Sequence, residues 1–136
     1  MAWQHPHADG LLLPRSATLS VPFRIAVSPL PALICFCTCP DTDTADRLAR
    51  TLVEERLAAC VQRLPGVRSV YRWQGRVESA DEHLLLIKTA PAQWPALQAR
   101  VLDLHPHDVP ELIAVETAAG LPAYLDWIQA QTGVAA

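Results

Sequence analysis

The sequence predicts an α+β sandwich in which helices lie on one face of a four-stranded antiparallel sheet. Three observations carry that expectation. Apolar β runs and helical stretches follow one another in the order β-α-β-β-α-β, with a further helical segment at the end. Positions 45, 48, 49, 52 and 53 form an i, i+3, i+4, i+7, i+8 apolar stripe between the first two β runs. Gln74-Gly75-Arg76 is a hairpin turn that joins the second run to the third.

Residues 32–37 are apolar without polar alternation, as in a strand covered on both faces, and Cys39-Pro40-Asp41 breaks the run. The stripe predicts a helix over residues 43–57, with Thr42 or Asp43 capping its first turn. Residues 60–64 and 67–73 read as one long strand interrupted at Pro65-Gly66, a pair that marks a bulge or an edge. Residues 83–89 return as an apolar strand. Pro95 suits the start of a second helix, whose inner face is Leu97, Val101 and Leu104. Residues 111–115 form the fourth strand. Gly120 punctuates, and Pro122 opens a last helix with Leu121, Tyr124, Leu125 and Ile128 on one side. This order is a ferredoxin-like βαββαβ sandwich with an extra C-terminal helix.

At 136 residues the chain suits one principal domain, residues 32–136, preceded by residues 1–31 as a mobile extension without sustained periodicity. His5 and His7 in that extension form a loose His-x-His that would lose conformational entropy on binding a metal. Apolar residues make up 51% and charged residues 18%, which excludes a disordered chain. A net charge of −3 and the lack of a basic, aromatic-laced patch argue against nucleic acid as a partner. No apolar run approaches the roughly 20 residues that cross a bilayer, so no membrane partner is expected. Cys35, Cys37 and Cys39 share one strand face at about 6.6 Å spacing, a poor geometry for disulfides. With Cys60 they read as free thiols in a reducing compartment, the cytoplasm.

The run His105-Pro-His-Asp-Val-Pro-Glu-Leu-Ile113 concentrates chemistry. Two imidazoles and two carboxylates fall within seven residues, with prolines stiffening the backbone between them. His105 and His107 can ligate Cu(II) or Zn(II), with Asp108 or Glu111 orienting a ring. Equally, His105 can hydrogen-bond within the turn while His107 is solvated. Glu111 reads more simply as the partner of a cation such as Lys88 or Arg56. The strand thiols are soft ligands for Cu(I) or Zn(II) if accessible, and small buried hydrophobes otherwise. The scattered glycines form no phosphate loop and no cofactor motif is present, so catalysis is not expected.

Several segments resemble the CutA family, named for tolerance to divalent cations. They are Cys37-Thr-Cys-Pro-Asp41, Arg56-Leu-Ala-Ala-Cys-Val61, Ser69-Val-Tyr-Arg-Trp-Gln-Gly75, the stretch 82–89 ending Ile-Lys-Thr, the His105–Ile113 run, and Gly120-Leu-Pro-Ala-Tyr-Leu-Asp-Trp127. The resemblance implies a homotrimer whose long second and third strands pair with neighbouring subunits. Tyr71, Trp73 and Trp127 then fall at the trimer interface, against the alternative of ordinary intrasubunit core. Threefold closure would bring the thiol-bearing strand and the imidazole turn into a shared crevice. The resemblance also implies weakly held divalent metal, copper above all and zinc as an alternative. Its ligands carry over to Cys37 and His105. A second family histidine falls on Leu104 here, and His107 stands where tyrosine is usual, so a His-x-His pair would have to restore the lost ligand. Gln62 likewise replaces asparagine. Two rival functions follow from the same architecture: a small-molecule sensor similar to the PII proteins, and a structural trimer that anchors another protein.

Overall fold

The computed structural model describes residues 31–133. The extension expected over residues 1–31, with His5 and His7, lies outside the described residues except for Pro31. The elements are β1 (Leu33–Cys39), α1 (Thr42–Glu54), β2 (Cys60–Trp73), β3 (Arg76–Thr89), α2 (Trp94–Leu104), β4 (Leu112–Glu116) and α3 (Pro122–Gln131). A single 3-10 turn, Pro91–Gln93, leads into α2. The four strands form one antiparallel sheet in the order β2-β3-β1-β4, and the ferredoxin-like arrangement expected from the sequence is the one observed.

Alternation along β1 sends Leu33, Cys35, Cys37 and Cys39 into the core, where they meet Leu85 and Ile87 of β3. Leu48 and Leu52 of α1 and Leu97 and Val101 of α2 cover that face. The α3 residues Leu125 and Ile128 form a separate small cluster with Ala32 and Ala59. Of the face expected on α3, only these two are buried; Leu121 is 71% exposed and Tyr124 stacks on Trp127 at 5.7 Å.

Several boundaries differ from expectation for local reasons. The cap of α1 is Asp41, not Thr42 or Asp43: its backbone is extended and its carboxylate accepts from the Thr44 N–H at 2.7 Å. β1 runs on to Cys39, paired with His83, before Pro40 stops it. α1 ends at Glu54 because Arg56 adopts a left-handed backbone, φ 59°. The Arg56 N–H then donates to the Val53 carbonyl and the Leu57 N–H to that of Leu52, the Schellman pattern that glycine usually provides. β3 begins at Arg76 rather than 83, and β4 starts one residue later than expected.

The hairpin joining β2 to β3 turns on Gln74 and Gly75, both at positive φ, the two-residue connection that matches strand twist. A register shift between Leu64 and Val67 places a bulge at Pro65-Gly66, with Gly66 at φ 77°. β1 reaches only as far as His83, so residues 67–82 form a two-stranded arm beyond the sheet.

Hydrogen bonds from Thr44 hold the Asp41 carboxyl below its ordinary range. The stability it contributes is therefore complete above the ordinary carboxylate pKa and lost as pH falls through the depressed folded value. Asp41→Asn keeps a cap but should flatten the acid limb of the stability-versus-pH curve, with little change at pH 7; unaltered acid sensitivity would count against the cap. The Arg56 guanidinium donates to the carbonyls of Ala130 (2.8 Å) and Gly133 (3.1 Å), tying the end of α1 to the end of α3. Arg56→Ala keeps the unfavourable backbone and loses both bonds, for an expected loss of about 2 kcal/mol in urea unfolding. Arg56→Gly relieves the backbone and should recover part of it.

Candidate metal centre

Cys37 and Cys39 lie on the helix-covered face of β1, separated by one residue, and both are fully buried. His105 is the residue after α2, and Pro106 biases it toward the extended backbone it adopts, φ −78° and ψ 137°. That exit swings the ring back over β1. The ligating atoms of Cys37, Cys39 and His105 all lie within 4.8 Å of one another, with the imidazole only 7% exposed. The thiol strand and the imidazole turn thus meet inside one chain, and no second copy is needed to bring them together.

Both nitrogens of His105 have partners. Nε2–H donates to the Thr38 carbonyl at 2.8 Å, and Nδ1 accepts from the His107 N–H at 3.1 Å. His107 itself is exposed, with its ring tilted 58° to that of His105 at 4.9 Å between centroids. The two imidazoles therefore face different surroundings, one committed to β1 and the other to water. Ligation by His105 through either nitrogen gives up one hydrogen bond, a net cost of about 1 kcal/mol. Thiolate–metal bonding is an order of magnitude larger, so the donor set fits a soft metal ion.

The thiols are not equivalent. A hydrogen bond to Cys39, reinforced by burial, pushes the Cys37 thiol far above its ordinary range. The same bond holds Cys39 below its ordinary range, making it the readier thiolate. Burial pushes the neighbouring Cys35 up to about 11. All four cysteines are free.

The charges around this cluster are arranged otherwise than the sequence suggested. Lys88 donates to Gln62 at 2.9 Å and stands over the Tyr124 ring, while Arg56 is occupied by carbonyls of the α3 end. Neither pairs with Glu111. Partial burial, together with the nearby Glu82 carboxylate, raises the Glu111 carboxyl above its ordinary range. Arg63 bridges Asp46 at 3.0 Å, and His83 lies 3.4 Å from both Arg63 and the Thr42 hydroxyl.

The site residues expected from the sequence are thus divided. Cys37 and His105 are together, His107 is outside, and the Cys39 sulfur lies within 4.8 Å of the other two ligating atoms. The Cys-x-Cys alternation carried the signal for Cys39, since residues two apart on a strand share a face. The expected interface aromatics are exposed on the single chain: Trp73 at 61%, Trp127 at 42% and Tyr71 at 39%.

A family model described as CutA1 divalent ion tolerance protein matches residues 33–131. The chain is 50% identical over 96 residues to the divalent-cation tolerance protein CutA of Thermus thermophilus, covering 71% of this chain and 93% of that protein. It is 40% identical over 103 residues to the chloroplastic protein CutA of Arabidopsis thaliana, covering 76% of this chain and 57% of that longer relative. Among solved structures, CutA from Xylella fastidiosa superposes with a TM-score of 0.74 at 48% identity, covering 75% of this chain and 98% of that one.

Proposed function

The chain belongs to the CutA1 divalent ion tolerance family, and from that premise we propose that it is a homotrimeric, copper-binding protein acting in cation tolerance. The observation that carries the metal reading is the buried convergence of two thiols and an imidazole within 4.8 Å. Sulfur and imidazole donors favour copper or zinc over magnesium or calcium, which take oxygen. Copper is the first choice and zinc the alternative. The role is binding rather than catalysis.

Support for the trimer comes from the arm. Val70, Trp73 and Val77 are 67%, 61% and 66% exposed, apolar side chains on a ribbon that, among the described residues, has no third strand beside it. Arms that pair between copies would cover them and close the free edges. Tyr71, Trp73 and Trp127 are assigned to that interface. Four free thiols suit a reducing compartment, and we place the protein in the cytoplasm. Among the described residues, no helix is long and apolar enough to cross a membrane.

Titration with Cu(II) and Zn(II) tests the metal reading. Cys37→Ser and His105→Ala are each expected to weaken binding by at least about tenfold, as losing even a supporting group does. Wild-type affinity in both variants would remove this site from the account. A thermal-shift comparison of metals with nucleotides separates tolerance from sensing, because a true ligand stabilises the fold. Stabilisation by nucleotide alone would favour the sensor.

A further inference from the structure

We propose that Cys37, Cys39 and His105 of a single subunit form a closed, three-coordinate site for monovalent copper, with Cys39 in the role that the sequence pattern offered to His107. This inference rests on the copper-binding reading above and deepens it by naming the oxidation state and the third ligand.

The first ground is reach. Ligands on one ion, with metal–sulfur bonds of about 2.3 Å, stand roughly 4 Å from one another. The three donor atoms already lie within 4.8 Å, so closing on an ion needs side-chain adjustment and no movement of strand or helix. Two of them are fixed to one strand face, and the third hangs from the end of α2, whose Leu97 and Val101 share the same core.

The second ground is coordination number. Among the described residues, no other histidine, cysteine or carboxylate joins the group. Cys37 and Cys39 are 0% exposed and His105 is 7% exposed, leaving little path for water to supply a fourth ligand. Zinc in a structural site takes four ligands, and Cu(II) favours tetragonal nitrogen and oxygen sets. Monovalent copper is soft, prefers sulfur and is satisfied by two or three donors. His107 is exposed and its ring, 4.9 Å from that of His105, lies outside the donor group, while its backbone N–H holds His105 in place. It is a positioning residue through its main chain, and its imidazole is dispensable.

Binding displaces thiol protons to solvent and transfers no electrons, since copper enters and stays monovalent. The test uses the full chain under argon, with Cu(I) supplied as its acetonitrile complex and competed against bicinchoninate. Wild type should hold one Cu(I) per subunit and show two sulfur neighbours and one nitrogen by X-ray absorption. Cys39→Ser should weaken Cu(I) binding by at least about 100-fold, beyond the range seen when only a supporting group is lost. Cys35→Ser, an equally buried thiol outside the group, and His107→Ala should bind as wild type does, and circular dichroism will establish that all variants are folded. Wild-type affinity in Cys39→Ser, or a loss in His107→Ala as large as in Cys39→Ser, overturns the proposal while the copper reading stands. Zinc held by the same three residues in preference to Cu(I) overturns the monovalent assignment. Failure to take up copper in either oxidation state sinks both readings together.

Discussion

Alanine at Leu85 should lower folding stability by about 3 kcal/mol, with an unchanged denaturant slope. Leu85 is fully buried at the centre of the sheet, with Cys37 of β1 on one side and Arg63 of β2 on the other. Removing its branched end leaves a cavity that strands held in register on both sides cannot close. The neighbouring side chains would lose contacts outright rather than regain them by relaxing. Val53→Ala on α1, at 42% exposure, should change stability by no more than about 0.5 kcal/mol. The same cavity lies beside the thiol cluster. Leu85→Ala should therefore speed labelling of Cys37 and Cys39 by a thiol reagent under native conditions, where Val53→Ala should not. A loss below about 1 kcal/mol would show that the site collapses readily and that the sheet is more pliant than its register implies.

What could be read from the sequence, and what could not, follows from how local each signal is. The α1 stripe, the Gln74-Gly75 turn and the Pro65-Gly66 bulge are fixed by residues next to one another, and each is where expected. The residue pattern shows no strand over Arg76-Val-Glu-Ser-Ala-Asp-Glu82, which has no apolar run; a long third strand is implied only by the family resemblance, and it forms because β2 lies alongside it. The end of α1 carried no glycine, and an arginine in the left-handed region is legible only once the α3 carbonyls that hold its side chain are known. Leu121 and Tyr124 follow helical spacing yet face outward, since periodicity gives a face and not its partner.

The candidate site divides the same way. That Cys35, Cys37 and Cys39 share one face follows from alternation alone, whereas the burial of that face depends on α1 and α2 packing over it. That His105 closes on them depends on the Thr38 carbonyl, 67 positions away in sequence, and on the way Pro106 turns the chain. No local pattern could separate His105 from His107. Their difference is one of register and burial, and it leaves the Cys39 thiol, not the His107 imidazole, beside Cys37 and His105.

Glutamate at Trp73 together with glutamate at Val77 should break the proposed trimer into single chains, read as mass by light scattering at micromolar concentration. Trp73 pairs with Arg76, and Val77 with Arg72, at the end of the ribbon where only two strands remain. A two-stranded ribbon is marginal in water on its own, so its order calls for something to pack against. Successive residues point to opposite faces, so Trp73 with Tyr71 lies on one side of the arm and Val77 with Val70 on the other. Both sides carry exposed apolar side chains in the single chain, which suits an arm clasped between two neighbours rather than one laid on a surface. A carboxylate buried without a cation costs about 3–5 kcal/mol at a packed contact, and threefold closure repeats that cost at every arm. Trp73→Phe retains an aromatic ring without a charge and should remain trimeric. The buried donor cluster sits within one subunit, so the dissociated variant should still bind copper. Loss of copper binding in step with loss of mass would mean that the metal is held between copies, and an unchanged mass in the double glutamate variant would remove the arm from the assembly.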